Sequence, residues 1–292
     1  MATEGERMKR VLAAAAVMSL VLSGATAQAA DSVKIGLAAM ISPKDTVKYY
    51  GQMLQWVGKK IGQPVEMVQE ENYDLMDAKL EKNELGIAFL CAGPYVKDHD
   101  KFGAELLVAP QSYGQPLYYS YILVPKDSTA KTFADLKGKK FGFTDPKSNT
   151  GALVPTYMVA KDFSTTPDKF FSEVIYTKSH DKSIEAVAKK MVDGVAVDSL
   201  IYDYAAKKNP VYTSGTRILV KSPPYGIPPV VVRKDLDPAL KAKLKAAFLS
   251  MHEDAEGKAI LDGIMVDKFI VPKDSDYDSV REMAAWVEKM KK

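Results

Sequence analysis

Short apolar runs alternate with amphipathic stretches along most of this chain, and that rhythm limits the folds open to it. "VKIGLAAM" (33–40) reads as a strand. "TVKYYGQMLQWVGKKIG" (46–62) reads as a helix: Val47, Tyr50, Leu54, Val57 and Ile61 keep one face apolar, and Gly62 ends it. "PVEMVQ" (64–69) is the next strand, "YDLMDAKLEKNE" (73–84) the next helix, and "LGIAFLCAG" (85–93) the next strand. Such a succession predicts an α/β fold with largely parallel, buried strands.

The pattern shifts at "LYYSYILVP" (117–125), an aromatic and β-branched run that reads as one long strand. A second α/β unit follows: "KKFGFTDP", "SEVIYT" and "VAVDS" as strands, with "GALVPTYMVAKDF", "DKSIEAVAKKMVDG" and "LIYDYAAKKNP" as helices. Residues 216–236 give two extended runs around a Pro-rich crossing, and the C-terminal part is helical. Two lobes are expected, joined by extended crossings near 122–126 and 220–226. The first comprises 31–123 plus 224–292, and the second, 124–223, is inserted. Paired crossings between α/β lobes predict a ligand cleft that closes by a hinge.

The N-terminus is set apart from this pattern. Residues 1–30 carry Lys9 and Arg10, an apolar stretch from Val11 to Leu22, and small residues ending in Ala27-Gln28-Ala29. That is the layout of a cleaved secretory signal behind a short extension. The apolar stretch is short of the roughly 20 residues a membrane span needs. The chain from Asp31 is expected to be periplasmic. Removing residues 1–30 takes three basic and two acidic side chains from a net charge of +3 and leaves +2. So even a balance argues against a nucleic-acid partner. With one cysteine, Cys91, no internal disulfide can form.

Four stretches could carry chemistry. "DPKSNTGALVP" (145–155) sets Ser148, Asn149, Thr150 and Gly151 where a helix begins. The stretch reads as an N-cap or as an anion socket. As a socket it offers unpaired N–H groups, two hydroxyls, an amide, and a glycine that admits a ligand to the backbone. It is no P-loop, because no GK[ST] follows. "TKSHDKSIEAVAKKMVDG" (177–194) predicts a helix from about Asp181 to Gly194, with Ser179 and His180 at its open end. "VAVDSLIYDY" (195–204) places Asp198 at a strand end, either as a helix cap or as an acceptor for a protonated oxyanion. "FLCAGPYV" (89–96) places Cys91 at another strand end, as a buried small hydrophobe or as a thiol at the cleft mouth. Tyr50, Tyr95 and Tyr118 are candidates to line the cleft. The three histidines, His99, His180 and His252, show no metal-ligand spacing, and no G-x-S-x-G or H-E-x-x-H occurs. No metal, cofactor or enzymatic activity is expected.

Taken together, "FTDPKSNTGALVPTYMVA", "SHDKSIEAVA", "DGVAVDS" and "LVKSPPYGIPPVVVRKDL" resemble the phosphate-, phosphite- and phosphonate-binding periplasmic proteins of ABC transporters. The resemblance spans the chain after residue 30. It implies a type II periplasmic binding fold, each lobe a mixed sheet flanked by helices. It implies an oxyanion gripped by Ser148, Asn149 and Thr150, with His180 and Tyr118 beside them, and an ABC permease as partner of a monomer. Two departures narrow the ligand. Pro228 stands before Pro229 where aminophosphonate binders carry an acid, and Leu90 stands where relatives place an aromatic ring. Both point to a small oxyanion such as phosphite or phosphate. An oxyanion sensor signalling to a membrane histidine kinase is the alternative. Arsenite-sensing relatives bind through a thiol, and Cys91 could serve that purpose.

Overall fold

The structure, a computed structural model, describes residues 32–38, 40 and 43–290, the side chains of 43–49 excepted. The export-signal reading of residues 1–30 lies outside them. No described helix is long and apolar enough to cross a membrane.

Six strands form the first sheet: β1 (Val33–Leu37), β2 (Val65–Gln69), β3 (Ile87–Phe89), β4 (Glu105–Gln111), β12 (Val230–Val232) and β13 (Lys268–Ile270). Their spatial order is β13-β4-β12-β3-β1-β2. β1 runs parallel to β2 and β3, whereas β12 is antiparallel to both β3 and β4. Helices α1 (Pro43–Ile61), α8 (Pro238–Ser250) and α9 (Ala255–Gly263) cover one face, where Trp56, Val57, Leu244 and Phe248 are buried. Helices α2 (Tyr73–Glu81), α3 (Ala92–Phe102) and α10 (Asp278–Met290) cover the other.

The second sheet contains β6 (Ser120–Pro125), β7 (Lys140–Phe143), β8 (Glu173–Tyr176), β9 (Gly194–Asp198) and β10 (Thr216–Lys221), in the order β10-β6-β9-β7-β8. β7 is parallel to β8 and β9, and β6 is antiparallel to β9 and β10. Its faces carry α4 (Val154–Phe163) with the short α5 (Pro167–Phe170), and α6 (His180–Ala188) with α7 (Ser199–Lys208). A two-stranded ribbon, β5 (Leu117–Tyr118) with β11 (Tyr225–Gly226), joins the two sheets.

Two expectations are corrected. The run 117–125 is not one strand. At Tyr119 and Ser120 the backbone N–H groups turn to the side chains of Ser199 (3.0 Å) and Ser222 (2.8 Å), and the strand breaks there. Ser120 to Leu123, expected in the first lobe, therefore pair with β9 in the second sheet. The aromatic and β-branched residues on both sides of Ser120 conceal the break. The helix after His180 also ends at Ala188, not at Gly194. Lys190 takes a left-handed φ of 57°, Met191 points outward at 63% exposure, and Gly194 opens β9.

The second lobe rests on a phenylalanine cluster. Phe141 stacks on Phe171 (centroids 4.4 Å apart) and meets Phe143 edge-on at 5.6 Å, with no exposed surface. Phe141→Ala is expected to cost about 3–5 kcal/mol of stability, measured as a shift of the denaturant midpoint. A loss under about 1 kcal/mol would mean the cluster collapses around the missing ring.

Candidate functional site

β7 ends at Phe143, and the chain must turn from the sheet into α4. It does so in one wide turn, Asn149–Leu153, wound as a π-helix. Such turns are uncommon and concentrate at functional sites. Ser148 Oγ accepts from Gly151 N (3.0 Å), and Ser148 O accepts from Ala152 N (3.1 Å) and Leu153 N (2.9 Å). The turn thus closes its own N–H groups at 151–153, which the sequence leaves open for an anion. What remains are side chains. Thr150 Oγ1 and Asn149 Oδ1 are buried without a hydrogen-bond partner in the protein.

Gly151 does not make room for a ligand. A Cβ there would lie 2.2 Å from Thr144 Oγ1, so the glycine makes room for Thr144. Asn149 Nδ2 donates to Tyr118 Oη (3.0 Å), so its amide donor is already engaged. Tyr118, fully buried, also meets Cys91 Sγ at 3.7 Å. The sulfur accepts from the backbone N–H groups of Asn149 and Gly93, and burial pushes the thiol's pKa up. Cys91 is a buried, protonated, fully partnered group, which disfavours thiolate capture of arsenite.

His180 shares this chamber through Thr144. Its Nδ1 lies 3.2 Å from Thr144 Oγ1 and accepts from Asp198 N at 3.0 Å. A backbone N–H can only donate, so the neutral ring carries its proton on Nε2. Burial pushes the His180 pKa down to about 3, which keeps the ring neutral at physiological pH. Nε2 is buried with no partner, and so is the adjacent Ser179 Oγ. The sequence marked Ser179 and His180 as a helix edge. The structure gives them two buried polar atoms without a partner in the protein.

Asp198 completes the second-lobe side. Its Oδ1 accepts from Leu200 N (2.7 Å), capping α7. Burial raises its pKa to about 7, against the opposing pull of the Leu200 and Ile201 N–H groups. From the first lobe comes Tyr50, whose pKa burial and the Asp198 charge push up to about 12. Both line a cavity of about 350 Å³ whose wall includes Phe89, Ile201 and Pro228. Tyr95 does not join them. Its hydroxyl donates to Asp274 Oδ1 (2.5 Å) and its ring packs on Tyr277, tying α3 to the turn before α10.

The first lobe closes directly on this loop. His180 N donates to Met40 O (3.0 Å), and Tyr73 N donates to Asp145 Oδ2 (3.3 Å). Tyr73 was not legible as a site residue. It opens α2 behind the Asn72 cap, and its buried hydroxyl faces Ser148 without a formed hydrogen bond. Ser148, Asn149, Thr150 and His180 have no exposed surface, so the lobes are shut over them. Among the described residues no group of three or more His, Cys, Asp or Glu is placed to hold a metal ion.

Two mixed-sheet lobes shut over buried hydroxyls and an imidazole define a type II periplasmic binding protein. The chain belongs to the family of periplasmic substrate-binding proteins of phosphonate ABC transporters, whose pattern matches residues 35–277. It is 26% identical over 277 residues to the phosphonates-binding periplasmic protein of Escherichia coli K12, covering 93% of this chain and 81% of that one. A binding-protein component of an ABC phosphonate transporter from Pseudomonas aeruginosa shares the fold with a TM-score of 0.83 at 23% identity, covering 89% of this chain and 87% of that one. PhnD1 of Prochlorococcus marinus, solved with methylphosphonate, does so with a TM-score of 0.80 at 19% identity, covering 88% and 98%.

Closure requires a glycine at the first turn of α3. A Cβ on Gly93 would meet Lys147 O at 2.4 Å and Asn149 N at 3.2 Å, both backbone atoms of the opposite lobe. Gly93→Ala is expected to hold the lobes apart and increase the radius of gyration in small-angle scattering. An unchanged radius would show that the contact yields locally.

Proposed function

We propose that the protein binds a small phosphorus oxyanion (phosphite, phosphate or a simple phosphonate) between lobes 32–119 plus 223–290 and 120–222, and delivers it to an ABC permease. The observation that carries this reading is the set of buried, unpartnered polar atoms on Thr150, Ser179, His180 and Tyr73. An oxyanion presents several acceptor oxygens in a small volume, which suits hydroxyl and imidazole donors left without partners. The methylphosphonate complex of the Prochlorococcus marinus relative supports the ligand class. Family membership favours import over the sensor alternative.

The donors are neutral, and the one ionisable acid among them is Asp198. An oxyanion that still carries a proton can donate it to Asp198, and a fully ionised one meets repulsion unless Asp198 is protonated. Pro228 gives the cavity an apolar wall where aminophosphonate binders place an acid, and Glu185 nearby is held by Lys189 and Tyr212. Neither favours an ammonium-bearing ligand.

Calorimetry with phosphate, phosphite and methylphosphonate tests the reading, and at least one should bind the parent. Thr150→Ala should weaken that binding by about 1–3 kcal/mol, the cost of an anion oxygen left without its donor in a buried site. Unchanged affinity would remove Thr150 from the site.

The sign of the pH effect follows from Asp198. Its pKa of about 7 leaves it largely ionised at pH 8. Binding of a fully ionised oxyanion there must therefore take up a proton, and its affinity should fall by up to about tenfold per pH unit above neutrality. Asp198→Asn should lower the proton uptake, measured by calorimetry in buffers of different ionisation enthalpy. Equal uptake in parent and variant would contradict the role given to Asp198.

A further inference from the structure

One cluster of charges, two of them buried carboxyls, lies beside the Ser148–Thr150 loop. Lys147 directly precedes Ser148 in the second lobe. Its ammonium crosses to the first lobe and pairs with Asp77 Oδ2 (2.7 Å) and Asp74 Oδ1 (2.6 Å), both on α2. Its own N–H donates to Asp145 Oδ1 (2.8 Å), and its carbonyl lies against Gly93. Asp77, on α2, and Asp98, on α3, are both buried, at 5% and 3% exposure.

The two carboxyls meet each other, and neither Asp77 Oδ1 nor Asp98 Oδ2 has a donor from any other residue. Two carboxylate oxygens can approach only if one carries a proton. Burial, then the Asp77 charge, push the Asp98 pKa up to about 8. Asp77 is raised by burial and held back by its Lys147 hydrogen bond. Burial pulls the Lys147 pKa down, but the hydrogen bonds to Asp74 and Asp77 outweigh it, so the lysine stays charged. The other charged groups facing the cluster are Asp145, Glu81 with its partner Lys101, and Lys97 and Glu288 along the adjoining groove.

We propose that Lys147 and the Asp77–Asp98 pair form a proton-dependent latch that holds the two lobes shut and positions the Ser148–Thr150 loop. The geometry stands without a ligand; its purpose rests on the oxyanion reading. When the lobes part, Lys147 leaves and water reaches the pair. Both acids then return toward the ordinary value of about 4 and the shared proton departs. Closing therefore takes up a proton between about pH 4 and pH 8. The closed-to-open ratio falls as pH rises through that window, by up to about tenfold per unit, and levels off above it.

The test reads closure directly. Nitroxide labels on Glu71→Cys and Lys169→Cys, exposed positions on opposite lobes, report the interlobe distance, with the buried Cys91 left in place. An Asp198→Asn background removes the acid that Tyr50 and the cavity bury. The short-distance population should fall from pH 5.5 to pH 8 when Asp98 is present. Asp98→Asn, which mimics the protonated acid at every pH, should keep more of that population at pH 8. The latch is refuted by identical pH profiles with and without Asp98→Asn, or by no pH dependence while Asp98 is present. Methylphosphonate titrations on the Asp198 parent separate the two readings: absent binding with the expected distance changes would count against the oxyanion, not the latch.

Discussion

The structure turns on polar atoms buried where the lobes meet. Thr150 Oγ1, Asn149 Oδ1, Ser179 Oγ, His180 Nε2 and Tyr73 Oη are all removed from solvent without a partner in the protein. Each such group costs about 1–3 kcal/mol if nothing answers it. They sit at two helix starts of the second lobe and one of the first, so the cost arises when the lobes shut. The shut state is then unfavourable on its own and favourable with a ligand that can accept from the three hydroxyls and the imidazole N–H. A ligand can shift such an equilibrium only by its differential affinity for the two states, and these atoms are where that difference resides.

The cap and socket readings of residues 148–151 turn out to be compatible. Ser148 does cap the turn through Gly151 N, while its carbonyl accepts from Leu153 N five residues on, the wide bond of the turn. With the N–H groups of 151–153 tied to Ser148, recognition passes to the side chains. Thr144 links the two halves of the chamber: its N–H donates to Gly151 O, and its hydroxyl lies against His180 Nδ1. Gly151 is therefore a packing requirement of Thr144, and it acts on the ligand only through the residues it lets approach.

Local patterns in the sequence carried the elements and the two helix starts. Ser148, Thr150, His180 and Asp198 were visible because small polar residues before an amphipathic run mark a helix start whatever the fold does. What was not visible depends on partners distant in sequence. Nothing near Tyr73 or Gly93 says that each abuts the 145–149 segment, and nothing near Tyr95 says that Asp274 takes its hydroxyl. The break at Tyr119 was hidden because its cause is the side chains of Ser199 and Ser222, far along the chain. Met191 misled for the opposite reason: its spacing fits a helix face, but the helix has already ended.

Charge is distributed unevenly across the closed interface. The anion chamber holds a neutral imidazole and hydroxyls, with Asp198 near half-ionised at pH 7. The half-buried Lys147 is turned toward Asp74 and Asp77. A lysine facing the anion would give long-range attraction with little discrimination, because any anion satisfies a point charge. Neutral donors in fixed directions reward an oxygen cage of matching shape, and Asp198 adds a requirement for a proton. With the cation placed in the interlobe contacts, the proposed ligand contacts and the proposed latch use different groups on the same stretch of chain, Asp145 to Gly151.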